Sequence, residues 1–362
     1  MIQILRVWFN RYFSDPQAVL LFFFLLISFG LIMLMGSILA PVLGSIVIAY
    51  LLDGVANGLQ RLRMPRLPAV ILTFLGFSGF VLLCFLVLLP LLWKQVVHLF
   101  DDLPNMMVKG EQLLYDLVAR FPEFFSKEQV NAFASDLLTD VRNSAKVVLT
   151  ASWSSITGLI AGIVYLVLVP LLVFFFLKDR DQLLQWGGAF LPDKRGVLTQ
   201  VSLEVNDQIG NYIRGKVIEI IVVTFATYLV FWYFDLEYAA LLAFLVGISS
   251  LIPYVGAIVT TIPVILVGYL QWGWGTQFGY FMAAYLVVQG LDANLLVPLL
   301  FSEAVNLHPI AIVVATLFFG GVWGFWGVFF AIPLATLVKA VINAWPKKGH
   351  SGLRNRHKIK AS

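Results

Sequence analysis

Residues 310–341 read IAIVVATLFFGGVWGFWGVFFAIPLATLVKAV, 32 apolar-rich positions cut at their centre by GGVWGFWG (320–327) and followed by Pro333. As one α-helix they would be about 48 Å long, well over the ~30 Å of a bilayer core and short of two crossings. Block 239–270 repeats the pattern, with the same length, the interruption IPYVG (252–256) and Pro263 behind it. A pair of apolar segments broken by Gly and Pro is the sequence pointer to discontinuous helices around the central site of a membrane transporter. Two arrangements satisfy the lengths: re-entrant hairpins of two half-helices of roughly 16 residues, which the lengths favour, or tilted broken spans. The breaks therefore supply the first pathway candidates: Pro253, Tyr254 and Gly256 in one block, Gly320, Gly321, Gly324 and Gly327 in the other.

Composition places the rest of the chain in the same class. Hydrophobic residues make up 60%, charged residues 12%, and the mean hydropathy is +0.91, whereas a soluble domain runs near a quarter charged. The expected fold is an all-α polytopic membrane protein of about eight apolar segments, two of them re-entrant or broken, plus an extracytoplasmic helical segment. Run 17–52 is long enough for two crossings broken near 36–41, and further runs cover 69–92, 151–177 and 217–234. The apolar region after Arg6 and Arg11 outruns a signal-peptide core and has no small-residue cleavage site, so the first helix is expected to stay. Cys84, the single cysteine, lies in an apolar run and reads as packing.

Loop charges set an orientation. Arg6 and Arg11 before the first run and Arg61, Arg63 and Arg66 after it read as cytoplasmic by the positive-inside rule. Segment 93–150, with eight acids against six bases, reads as extracytoplasmic, and the basic tail puts the C-terminus back inside with the N-terminus. The resulting organisation is N-terminal transmembrane helices at 1–92, an extracytoplasmic amphipathic segment at 93–150 and a transmembrane helix at 151–177. A cytoplasmic amphipathic segment at 178–216 follows, broken at Pro192, then a transport core at 217–345 and a basic tail at 346–362. Within the exterior segment Val130, Phe133, Leu137, Val141, Ala145 and Val148 form one helical stripe, packed within the subunit or against a second one. The net charge of +4 belongs to these cytoplasmic loops, with no basic patch of interleaved aromatics for nucleic acid.

From 217 to 338 there is no lysine or arginine and only five acids: Glu219, Asp235, Glu237, Asp292 and Glu303. Asp235 and Glu237 fall in a turn, Glu303 in the connection SEAVNLHP, and Glu219 reads with Arg214 and Lys216 near the inner interface. Asp292 is left deep in 278–301. A carboxylate at membrane depth costs several kcal/mol, roughly 2.5–3.5 on insertion scales, and marks a pathway, relay or ion site by default. Without a local Lys or Arg it must take up a proton or bind a cation. Asn294 adds a carbonyl acceptor, and Pro298 frees a backbone carbonyl by withholding its N–H. The competing structural reading has Asp292 cap a hairpin tip. His308, in LHPIA, reads as a helix-start cap or an interfacial proton carrier.

No HExxH, G-x-S-x-G or G-x-x-x-x-G-K-[ST] string occurs, so the readings of zinc protease, serine hydrolase and ATP-driven pump lack their residues. No enzymatic role, cofactor or metal site is expected. The strings VFFFLKDRDQL (173–183), NYIRGKVIE (211–219), IPYVGAIVTTIP (252–263), LDANLLVPLLFSEAVNLHP (291–309) and GGVWGFWGVFFAIPLATLVKAV (320–341) resemble the autoinducer-2 exporter family over nearly the whole chain. The resemblance implies a bacterial inner-membrane transporter, homo-oligomeric in its bilayer, with small-molecule export proposed for some members and sodium/proton exchange for others. It also implies a gating or helix-anchoring role for Lys178, Asp179 and Arg214. The function expected is secondary transport of a small solute or cation coupled to H+ or Na+; the alternative is a non-transporting membrane scaffold or assembly factor.

Overall fold

A computed structural model describes residues 16–120, 156–189, 196–253, 255–301 and 307–344, and every regular element among them is helical. The apolar stripe of 130–148, Pro192, Tyr254, Glu303 and the basic tail lie outside the described residues. Among the described residues six helices are long and apolar enough to cross a bilayer: Ile38–Arg61, Arg66–Gly110, Gln208–Tyr233, Val255–Trp272, Thr276–Phe301 and Trp326–Asn343. Three shorter apolar helices, Val164–Lys178, Ala239–Ser249 and Pro309–Trp323, accompany them.

Helix α1 (Pro16–Arg61) carries one non-helical residue, Met35. The break expected near 36–41 is thus a kink just ahead of Gly36, and Pro41 is accommodated inside the helix. Helix α2 (Arg66–Leu83) passes through a π turn at Cys84–Leu88 directly into α3 (Leu89–Arg120), so the segment expected to begin at 93 starts inside a helix. The π turn has a local cause. Pro90 has no N–H to give and its ring crowds the carbonyl four residues back, and widening the preceding turn, with Leu89 N–H reaching Cys84 O, relieves the crowding.

Helix α4 (Ile156–Lys178) precedes the short α5 (Arg180–Ala189). Helix α6 (Gly196–Tyr233) then runs unbroken, so position 217 falls inside a helix and not at the start of a span. Next come α7 (Ala239–Ser249), α8 (Val255–Trp272) and α9 (Thr276–Leu291). A second π turn at Asp292–Leu296 leads into α10 (Val297–Phe301), followed by α11 (Pro309–Trp323) and α12 (Phe325–Ala344).

The chain forms two compact bodies, one within 1–43, 179–214 and 301–362, the other within 44–178 and 215–300. Each contains one of the interrupted blocks, and each block folds back on itself as a helical hairpin. In the first body α11 and α12 close over Ala315, Phe319 and Ala331. Gly324 turns the chain with φ 59° and ψ −133°, a conformation open in practice only to glycine. Gly327 lets the arms meet: a Cβ there would stand 1.8 Å from the Phe319 carbonyl oxygen. The second body uses the same device, since a Cβ on Gly256 would stand 1.7 Å from the Ser249 carbonyl oxygen. Helix α7, 11 residues and about 17 Å long, is too short to cross a bilayer, whereas α8, with 18 residues, reaches about 27 Å.

The core of the second body centres on Phe231 of α6, which lies 5.5 Å from the Phe281 ring and 5.7 Å from that of Tyr285, with Leu242 and Val246 of α7 and Val264 of α8 in the same cluster. Helix α7 sits close to α6 because Gly247 faces Thr224, where a Cβ would meet the hydroxyl at 1.7 Å. One face of α3 fastens the hairpin's other end through residues seven apart, a spacing that keeps side chains on one side of a helix. Gln95 accepts the Leu241 N–H at 2.7 Å, Asp102 accepts the Tyr238 hydroxyl at 2.5 Å, and Lys109 donates to the Leu270 carbonyl at 3.4 Å. Burial, then the Asp102 carboxylate, holds the Tyr238 phenol above its ordinary range.

Candidate functional site

Asp292 does not cap a helix. It lies in right-handed helical backbone at the junction of α9 and the second π turn, where Val297 N–H reaches back to Asp292 O just before Pro298. The spacing matches that at Cys84 and Pro90: a proline six residues on, a π turn between. The capping reading is therefore replaced by one in which a proline-induced π turn displaces the helix at the residue that carries the charge; such bulges recur at functional sites. The Oδ1 atom of Asp292 is buried and accepts no hydrogen bond among the described residues. An unsatisfied carboxylate oxygen shielded from water is costly.

A buried cation lies on α6 at Lys216, one position outside the lysine-free stretch. Lys216 Nζ donates to Glu219 Oε2 at 2.7 Å and to the Ser250 carbonyl at 2.9 Å, with both side chains of the pair about 95% or more buried (5% and 3% exposed). Glu219 pairs with Lys216 as read, while Arg214 is exposed on the first body.

A second polar group joins α7, α8 and α9. Tyr285, Gln289 and Asp292 stand at i, i+4 and i+7 on one face of α9. Tyr285, fully buried, shares a 2.9 Å hydrogen bond with Thr261 of α8, and Thr260 next to it lies 3.2 Å from the Ser249 hydroxyl at the end of α7. Gln289 Nε2 is buried without an acceptor among the described residues. An orphan donor and an orphan acceptor thus sit one turn apart along the chain. Ser249, Ser250, Thr260, Thr261, Tyr285 and Gln289 were not candidates from sequence, although the polar 285/289/292 spacing in an otherwise apolar helix is a usable signal.

Other candidates fall elsewhere. Asn294 is exposed and its amide donates to the Gly290 carbonyl at 2.9 Å, away from this polar group, and Pro298 is exposed beyond the π turn it causes. His308 is the N-cap of α11: its Nδ1 accepts the Ile310 N–H at 3.3 Å, ahead of Pro309 at the first helical position. Lys178 ends α4 with its ammonium 5.9 Å above the Phe175 ring, and the Asp179 carbonyl takes the first hydrogen bond of α5. Pro253 lies in the α7–α8 turn, where Ile252 O accepts the Gly256 N–H. Gly256 and Gly327 permit close helix contact, and Gly320 does so more weakly, a Cβ there meeting Val328 at 2.8 Å. Gly321 has open space around it.

A multi-pass helical membrane protein with two helical hairpins and a buried lysine–glutamate pair in a candidate span is the class these features define. The sequence profile of the AI-2E family transporters matches residues 20–347. The chain belongs to that family. It is 48% identical over 346 residues to the Escherichia coli (strain K12) protein that bears the permease name PerM, covering 96% of this chain and 98% of that one. It is 26% identical over 314 residues to YueF of Bacillus subtilis (strain 168), named as a transport protein, covering 85% and 84%, and 22% identical over 337 residues to a Thermotoga maritima protein so named, covering 91% and 95%.

Proposed function

We propose that the protein is a secondary transporter of the bacterial inner membrane, exporting a small solute or exchanging cations, in which a proton or sodium ion is taken up and released at Asp292. The observation that carries this reading is the buried, unbonded Oδ1 of Asp292 beside a π turn in a span. With the empty oxygen charged, the site gains by admitting a cation or proton; with the oxygen neutralised, that gain is gone, and the difference is what a gradient can act on. Family membership supports transport as the general activity. The core at 217–345 carries the site, with Gly320, Gly321, Gly324, Gly327, Pro253, Tyr254 and Gly256 at the hairpin tips lining the route as the hairpins move. Segment 93–150 lies outside, both termini lie inside, and the protein works as a homo-oligomer. Glu219 and Lys216 belong to the ion site, whereas Glu303, His308, Arg214, Lys178 and Asp179 serve at the gates or helix ends.

Purified protein in liposomes, challenged with imposed sodium, potassium or proton gradients and a panel of small hydrophilic metabolites, tests the reading. Gradient-driven flux that disappears when the gradient is collapsed is expected. Flux of no ion and no solute from correctly assembled protein would sink it.

A further inference from the structure

One face of α9 changes character along its length. Phe278, Phe281, Tyr285, Gln289 and Asp292 follow one another at three- and four-residue spacing, so they share a single strip of the helix. Phe278, Phe281 and Tyr285 are buried, as are the Nε2 atom of Gln289 and the Oδ1 atom of Asp292. From the start of the helix the strip therefore runs ring, ring, phenol, amide, carboxylate. At a rise of 1.5 Å per residue, Phe281 stands about 8 Å along the helix from Thr276, Tyr285 about 14 Å, Gln289 about 20 Å and Asp292 about 24 Å. Measured along the helix, Asp292 lies well past the middle of a ~30 Å hydrocarbon core entered at Thr276.

The early part of the strip is closed by rings from three helices. Phe281 lies 5.1 Å from the Trp272 ring of α8 and 5.5 Å from Phe231 of α6, and Phe278 lies 5.8 Å from both Tyr269 and Trp274. Gly268 of α8 lets them close up, since a Cβ there would stand 2.9 Å from Phe281 Cε1. At the same end Gln271 ties α8 to the turn after α6, donating to the Asp235 carbonyl at 2.7 Å and accepting the Glu237 N–H at 2.9 Å. A plug of packed rings bars a hydrated ion, which would have to shed its water to pass. From this we infer that Phe231, Trp272, Phe278 and Phe281 form a closed gate on the side of the turns at 235–237 and 273–275, and that Asp292 is reached past Gln289 from the opposite side. The inference rests on the coupling reading above for the role of Asp292 and adds the direction from which its ion arrives. Alternating access then requires these rings to part, and the carboxylate can stay where it is.

Sided labelling of the full chain in membrane vesicles tests this. Cys84, the single cysteine, is replaced by alanine, and Gln289→Cys is introduced as the reporter. A membrane-impermeant trimethylammonium methanethiosulfonate is applied to right-side-out and inverted vesicles, and its reaction is followed by intact mass. Glu237→Cys, at an exposed position, shows which preparation presents the turns. The reporter should react from the side opposite the turns and not from the turn side. Adding Phe281→Ala should raise its rate from the turn side at least tenfold, while Phe281→Leu, which keeps an apolar filling, should leave that side closed. If Phe281→Ala does not assemble, Phe278→Ala at the edge of the plug takes its place, with the same expected gain. Reaction from the turn side without a plug substitution, no reaction from the opposite side, or no gain on cutting the ring each overturns the inference. Failure of both alanine variants to assemble makes the rings a core of the fold and also overturns it. Labelling needs no ion gradient, so the coupling reading is judged separately: it falls with silent liposomes, whatever the labelling pattern.

Discussion

Replacing single glycines of the α11–α12 tip by alanine perturbs three different physical terms within eight residues. At Gly327 the new Cβ would lie 1.8 Å from the Phe319 carbonyl oxygen, and ordinary contact begins at 3.4 Å, so the arms must separate by about 1.6 Å where they are closest. A gap of ~0.5–1 Å already forfeits a quarter to a half of the dispersion well between facing atoms, and overpacking of this kind costs roughly 1–3 kcal/mol, occasionally more. Gly327→Ala should fall at or above the upper end of that range. Gly324 has room for a side chain but not the backbone for one, φ 59° with ψ −133°, and Gly324→Ala should cost about 1–3 kcal/mol. Gly321 has neither constraint, and Gly321→Ala should be neutral or gain up to about 1 kcal/mol of helix propensity. Thermal unfolding of detergent-purified variants, followed by intrinsic tryptophan fluorescence and by loss of the monodisperse chromatographic peak, gives the order. The expected ranking is Gly321→Ala at or above wild type, then Gly324→Ala, then Gly327→Ala lowest. A Gly327→Ala protein as stable as Gly321→Ala would refute the close-packed hairpin.

Tyr238→Phe removes a hydrogen bond to the Asp102 carboxylate and should destabilise by about 1.5–3 kcal/mol, seen as a lower melting temperature; an unchanged value would mean that the α3 contact does not hold the hairpin. Thr227 is fully buried and its hydroxyl makes no hydrogen bond among the described residues, so Thr227→Val should be neutral or stabilising in the same assay, and a loss above about 1 kcal/mol would reveal a partner for it. Single cysteines at Ser126 and Ser135 should react with an impermeant maleimide from outside intact cells and those at Gln200 and Ser351 should not; labelling of Gln200 from outside would invert the orientation argued from loop charges.

The interruptions of the two blocks were legible because glycine and proline act locally: IPYVG and GGVWGFWG break an apolar period whatever surrounds them. Asp292 was legible because an ionised residue in an apolar run is rare. Its surroundings were not. Lys216 meets the Ser250 carbonyl, 34 positions away, only because α6 and α7 pack together, and the hydroxyls of Ser249, Thr260 and Thr261 look like ordinary turn and helix residues until α7 and α8 close on each other. The π turn was half visible, since Pro298 signals a disturbed helix but its outcome as a π turn depends on neighbours. The α3 stripe of Gln95, Asp102 and Lys109 was hidden by its own ordinariness, three polar residues at a spacing shared by any solvated helix face.

The central claim is that ion coupling passes through the Asp292 carboxylate, and the most direct measurement compares ion-driven transport by wild type and Asp292→Asn in the same liposomes. Asn keeps the shape and a hydrogen-bonding group while removing the charge. Since Asp292 sits in continuous helical backbone and caps nothing, both Asp292→Asn and Asp292→Ala should assemble as wild type does. The account predicts monodisperse Asp292→Asn protein whose response to an imposed sodium or proton gradient is lost. Correctly assembled Asp292→Asn with unaltered gradient-driven flux would contradict it.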